Sequence, residues 1–159
     1  MTHIVSTKLM TWKDILDSFT YKANVLVALD ASGSMPLEDM ESFLDNLEHT
    51  SAHTNSIVYW TTEVSTPTPI CRLMETYPVS LTAGGTDIEK LILLINDSSY
   101  DRVVVLTDGC FTPCTIECKA ELLFVMTKGG MTTKEFDNMW NSNSRTNKAS
   151  IIEQTEEGV

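Results

Sequence analysis

Positive charge is scarce in this chain. Its 159 residues carry 11 Lys and Arg against 22 Asp and Glu, a formal net charge of −11. Such a field repels phosphate backbones and anionic lipid, so nucleic-acid binding and membrane docking are disfavoured. It suits the capture of cations and of basic protein surfaces. Long apolar runs are also missing. The most compact ones, Val25 to Leu29 and Val103 to Leu106, are strand-sized and far too short to span a bilayer. The first residues hold a single Lys, Lys8, and no apolar stretch followed by a small-residue cleavage site, so no secretory signal is expected. No Gly-x-Gly-x-x-Gly follows the first apolar run, which argues against a dinucleotide fold. There is no His-Glu-x-x-His, hence no zinc-peptidase helix, and there are no internal repeats. Cysteines number four, and Cys110, Cys114 and Cys118 crowd into nine residues, with Cys71 apart. That is a poor framework for stapling a fold of this length, so a reducing, cytoplasmic compartment is expected.

What is present suits one folded domain. Hydrophobic residues make up 42% of the chain, enough for a core of ordinary size. Segment 1–23 reads as a lead-in whose helix begins at Thr11 and sets Trp12, Ile15, Leu16 and Phe19 on one face. Asn24 to Asp30 is a continuous apolar run ending in a carboxylate, the pattern of a parallel strand buried on both faces. A tight loop, Ala31 to Met35, leads into a helix opened by Pro36 and striped by Leu37, Met40, Phe43, Leu44 and Leu47. Ser56 to Thr62 is the next strand. Pro67 and Pro69 break the pattern, and Ile70 to Met74 reads as a short edge strand. A helix carrying Ile88, Leu91, Ile92 and Ile95 on one face follows. Asp101 to Thr107 is a second buried strand, again ending at a carboxylate, Asp108, and Leu122 to Thr127 is a last central one. Thr132 with Glu135 three residues on marks a capped helical turn reaching Trp140. Segment 141–159 reads as a polar loop and an acidic, frayed end.

Strands alternating with helices predict an α/β fold: a Rossmann-like, open, mostly parallel sheet flanked by helices on both faces, spanning 24–140. Ligands of such sheets bind beyond the carboxyl ends of the strands, where the strand order reverses. The loops after Leu29, before Ile88 and after Leu106 all fall on that edge.

Each of these loops supplies hard oxygen donors. They are Asp30-Ala-Ser32-Gly-Ser34, Gly84-Gly85-Thr86-Asp87 and Thr107-Asp108-Gly109. Carboxylate and hydroxyl oxygens suit Mg²⁺, Mn²⁺ or Ca²⁺ better than zinc or copper. Gly33 allows the loop to turn so that both hydroxyls face one point. Adjacent strands lie about 4.8 Å apart, so carboxylates at neighbouring strand ends can share one cation or its bound water.

Asp30-Ala-Ser32-Gly-Ser34 resembles the Asp-x-Ser-x-Ser signature of von Willebrand factor A domains. Thr86 and Asp108 match the two remaining elements of that family's metal-ion-dependent adhesion site. The likeness covers roughly residues 24–128. Within the superfamily, Trp12 to Phe19, Gly84-Gly-Thr-Asp87 and Val105-Leu-Thr-Asp-Gly109 look like the bacterial von Willebrand A-like domain that follows a metallopeptidase domain in longer chains. The resemblance implies Ser32, Ser34 and Thr86 as direct ligands of a divalent metal, with Asp30 and Asp108 balancing its charge largely through water. It implies one open position for a Glu or Asp of a partner protein, met across Gly33, Met35, Gly85, Asp87 and Gly109. Two carboxylates nearly neutralise a dication, so a third is not repelled. By resemblance the chain is a non-enzymatic adaptor, and AAA-type ATPases are the partner class.

Other candidates read as structural. Cys110-x3-Cys114-x3-Cys118 lacks the usual zinc spacing and contains Pro113, so loop or buried thiols are expected, with Cys71 as a conceivable fourth ligand. His49 and His53 sit at a helix's polar end. Tyr59 and Trp60 are expected to pack in the sheet, and Met139 and Trp140 to cover the core. The alternative function is a Mg²⁺-dependent phosphotransferase of haloacid-dehalogenase type. Such an enzyme needs a general acid two residues after its nucleophile, and Ser32 stands there.

Overall fold

The computed structural model describes residues 5–10, 24–32, 35, 38, 40–41, 56–61, 63–69, 87–111, 114–127, 129–142 and 149–154. Among them are seven strands, β1 (Val5–Met10), β2 (Val25–Asp30), β3 (Ser56–Trp60), β4 (Thr68–Pro69), β5 (Arg102–Thr107), β6 (Glu121–Met126) and β7 (Ser150–Gln154). Two helices are bounded there, α1 (Glu89–Asn96) between β4 and β5, and α2 (Thr133–Trp140) between β6 and β7. Glu38, Met40 and Glu41 are helical as well.

All seven strands join one sheet in the order β1-β7-β6-β5-β2-β3-β4. Every pairing is parallel except that of β4, which runs antiparallel to β3. The α/β expectation therefore holds. From β2 the chain builds outward through β3 and β4 on one side, then returns to lay β5, β6 and β7 on the other. The order reverses between β2 and β5, in register from Val25 opposite Arg102 to Leu29 opposite Leu106.

The apolar runs explain why these strands lie in the middle. All six residues of β2 are buried, as are the last five of β5 and of β6. Side chains of both parities are shielded, Leu26 and Ala28 as fully as Val25, Val27 and Leu29. On the face shared by Leu26, Val103 and Phe124, α1 contributes Leu91, Ile92 and Ile95, and α2 contributes Phe136 and Trp140. Both spacings follow the helical period.

α2 begins at a capping box. The Glu135 amide donates to Thr132 Oγ1 at 3.1 Å, and the Thr132 amide donates to Glu135 Oε1 at 3.3 Å. Its aromatic residues meet the sheet at Phe124, with ring centroids 4.7 Å from Phe136 and 4.9 Å from Trp140. Phe111, from the loop after β5, packs against Trp60, Phe136 and Trp140 in edge-on geometry. Trp60 and Trp140 are thus core residues, as expected.

Three expectations change. Thr68–Pro69 is strand where the sequence reads a break at Pro69, and the edge strand expected over 70–74 lies outside the described residues. An edge strand has one side without ladder bonds, so it tolerates a proline. β1 lies in the segment read as a lead-in, and β7 in the stretch read as loop and tail. β7 inserts between β1 and β6, so residues 150–154 are part of the sheet rather than a frayed end. Buried Asn141, at the end of α2, leads the chain into it. Its side-chain amide donates to the Ala149 carbonyl at 3.0 Å and accepts from the Ala149 amide at 2.7 Å, taking the place of a ladder partner.

The helices expected from Thr11 and over 43–47, His49, His53, Cys71 and residues 155–159 lie outside the described residues. No described helix is long and apolar enough to cross a membrane.

Candidate metal centre

The carboxyl ends of β2 and β5 meet where the strand order reverses. Asp30 closes β2 and is fully buried. Both carboxylate oxygens are held. The Ser32 amide donates to Oδ1 at 2.9 Å, and the Thr107 hydroxyl donates to Oδ2 at 2.6 Å. The first bond folds the loop back on itself after Asp30. The second crosses from β5, because residue 107 follows the Leu29–Leu106 register and its side chain shares a face with Val103 and Val105. Thr107 Oγ1 in turn accepts from the Gly109 amide at 3.1 Å.

Burial pushes the Asp30 carboxyl above its ordinary range. The hydrogen bonds from Thr107 and Ser32 oppose this, and the negative charge of Asp108 reinforces it. No Lys, Arg or His among the described residues offsets the charge; the described ion pairs are Lys90 with Glu63 and Arg102 with Glu121. A buried carboxylate without a counter-charge is costly unless a cation is supplied.

Asp108 follows β5 and is nearly buried, 4% exposed. Its Oδ1 accepts from the Cys110 amide at 3.0 Å, and its carbonyl accepts from the Met131 amide at 2.9 Å. Gly109 adopts φ +82°, in the left-handed region that a side chain disfavours, which turns the chain away immediately after the carboxylate.

Ser32 is 4% exposed, and its carbonyl accepts from the Met35 amide at 3.1 Å. Met35 itself is buried. The Ala31 amide donates to the Trp60 carbonyl at 2.9 Å, tying the start of this loop to the end of β3. The third segment reaches the same rim through Asp87, whose amide donates to the Thr61 carbonyl at 3.0 Å. Trp60 pairs with Asp30, so Thr61 lies just beyond the end of β2. The Asp87 carboxylate is exposed and accepts from the Glu89 amide at 2.9 Å, starting α1.

Of the expected ligands, Asp30, Ser32 and Asp108 thus share one rim of the sheet. Ser34 and Thr86, with Gly33 and Gly85, lie outside the described residues. Sequence reasoning passed over one contributor. Thr107 is visible only as part of the Thr-Asp-Gly segment, although the alternation Val103, Val105, Thr107 sets it on the Asp30 face.

The donors present fit a hard divalent cation. They are two carboxylates acting on each other and a serine, with no soft ligand among them. The Asp30 carboxylate, held by Thr107 and by the Ser32 amide and side chain, still has acceptor capacity left for a metal-bound water. Among the described residues no group of three or more His, Cys, Asp or Glu is placed to hold a metal ion, and the donor set above depends on hydroxyl oxygens as well.

Cys110, Cys114 and Cys118 form no disulfide. Cys114 and Cys118 are buried in the core, and burial pushes the Cys118 thiol up to about 11. Cys110 is exposed, and its thiol is also raised, by partial burial and by Asp108. No protein-family model and no curated protein sequence matches the chain.

Proposed function

We propose that this protein is a metal-dependent protein-binding module built on a von Willebrand A-like fold. The observation that carries the proposal is the meeting of Asp30, Ser32 and Asp108 at the reversal point of a parallel sheet, with no counter-charge to the buried Asp30 carboxylate among the described residues. The strand order supports the fold. Apart from the added β1, it is the doubly wound order in which ligands sit at the switch point. Burial of both parities of β2 supports helices on both faces of the sheet.

In this reading Ser32, with Ser34 and Thr86, would hold Mg²⁺ or Mn²⁺ directly, and Asp30 and Asp108 would hold its waters. When bound, the cation supplies a Lewis-acidic position for a carboxylate from outside. The protein's own part is to fix the donors before the partner arrives. Thr107 and the Ser32 amide prevent Asp30 from turning, and the Cys110 and Met131 amides do the same for Asp108. The partner is a protein offering an Asp or Glu, and AAA-type ATPases are the class to examine first.

The phosphotransferase alternative is less favoured, because position 32 offers a hydroxyl where a general acid is needed. One pair of measurements separates the two. Partner capture from lysate in Mg²⁺ should be lost on adding EDTA and in the Ser32→Ala, Ser34→Ala double variant. Turnover of a generic phosphate ester that disappears in Asp30→Asn would overturn the binding reading.

A further inference from the structure

Asp108 is held from behind by a turn distant in sequence. Gly130 follows β6, and a Cβ placed on it would lie 2.5 Å from the Asp108 carbonyl oxygen, 2.7 Å from its Cα and 2.9 Å from its Cβ. These are backbone and near-backbone atoms that cannot step aside as a side-chain tip can. The backbone of Gly130 is therefore in direct contact with that of Asp108. The next residue completes the grip, its Met131 amide donating to the Asp108 carbonyl at 2.9 Å. The turn is itself fixed at both ends. The Gly130 amide donates to the Thr127 carbonyl at 3.1 Å, and Thr132 opens the capping box of α2. Gly130 does not have a positive φ, so close approach, not backbone conformation, demands glycine there.

We propose that Gly130, with the Met131 amide, positions the Asp108 carboxylate for the cation, so that the β6–α2 turn is part of the metal centre without touching the metal. This rests on the metal-binding reading above. The neighbouring glycine provides a matched control, because a Cβ on Gly129 would meet nothing within 4 Å. An alanine at 129 changes the same turn by the same chemistry without disturbing Asp108.

The test measures Mn²⁺ binding by electron paramagnetic resonance in the full chain and in two variants, with circular dichroism to establish folding. Gly129→Ala should bind as the wild type does. Gly130→Ala should bind about 10- to 100-fold more weakly, the range found when a partner that orients a metal ligand is lost. A folded Gly130→Ala with wild-type affinity overturns the proposal. Failure of the wild type to bind Mn²⁺ at millimolar concentration overturns the metal-binding reading itself, a distinguishable result. Should Gly130→Ala fail to fold, amide hydrogen exchange in the wild type decides. Mg²⁺ should slow exchange at Met131 while leaving the Asp97 amide, which opens locally at the exposed C-terminal end of α1, unchanged. An unaltered Met131 rate in saturating Mg²⁺ overturns the proposal.

Discussion

Asp30 sits under two opposing influences. Burial raises its pKa, while the Thr107 hydroxyl and the Ser32 amide favour the charged form, and burial is the larger. A carboxyl whose folded pKa exceeds its unfolded value contributes stability below the unfolded pKa, and that contribution is lost as pH rises through the folded pKa. Above the unfolded pKa the buried carboxyl therefore works against the metal-free fold. Asp30→Asn removes the charge, keeps an acceptor for the Ser32 amide and can donate to Thr107 Oγ1. In EDTA at neutral pH the variant should melt above the wild type. The gap should close as pH falls through the raised Asp30 pKa. Thermal unfolding over a pH series checks this, and a variant that melts lower at neutral pH would show that the two hydrogen bonds outweigh burial. The same variant should lose the stabilisation that Mg²⁺ confers.

At the scale of elements, α2 links a local signal to the site. Its start is written in Thr132 and Glu135, and its buried face in Phe136 and Trp140. Thr132→Ala deletes the hydroxyl that accepts the Glu135 amide and leaves a helix N-terminus short of one partner. The expected loss is about 1 kcal/mol in urea unfolding. The loss should appear as a lower midpoint with unchanged slope. β7 follows a different logic. Only Ile151 and Ile152 are apolar in it, too few for a period of two to stand out. Its place depends on an open edge at β6, on β1 beyond it, and on Asn141 presenting a side-chain amide to Ala149. β1 escapes notice for a similar reason, because Val5-Ser-Thr-Lys-Leu-Met10 shows no sustained apolar run.

For the whole molecule, the sheet brings together residues far apart in the chain, and ligand binding should act on the whole fold in return. A cation that binds only the folded protein stabilises it by linkage. At a Mg²⁺ concentration a hundredfold above the dissociation constant the gain is about 2.7 kcal/mol. Equilibrium unfolding with and without Mg²⁺ reads this directly. A midpoint unmoved by millimolar Mg²⁺ and Mn²⁺ would mean that the rim does not bind them. The net charge of −11 points the same way, since it raises the local concentration of cations around the rim.

The chain's own pattern determined the α/β class, the central strands and the carboxylates that end β2 and β5. Each of these is announced by contiguous residues: an apolar run buried on both faces, then an acid where the run stops. Only the tertiary structure decided that Thr107 clamps Asp30, that Gly130 presses on Asp108, and that β1 and β7 complete the sheet. Those contacts join positions separated by up to 146 residues, as Val5 meets Ile151. Which distant backbone comes close is settled by strand order and crossover, and composition or spacing along the chain does not carry that information.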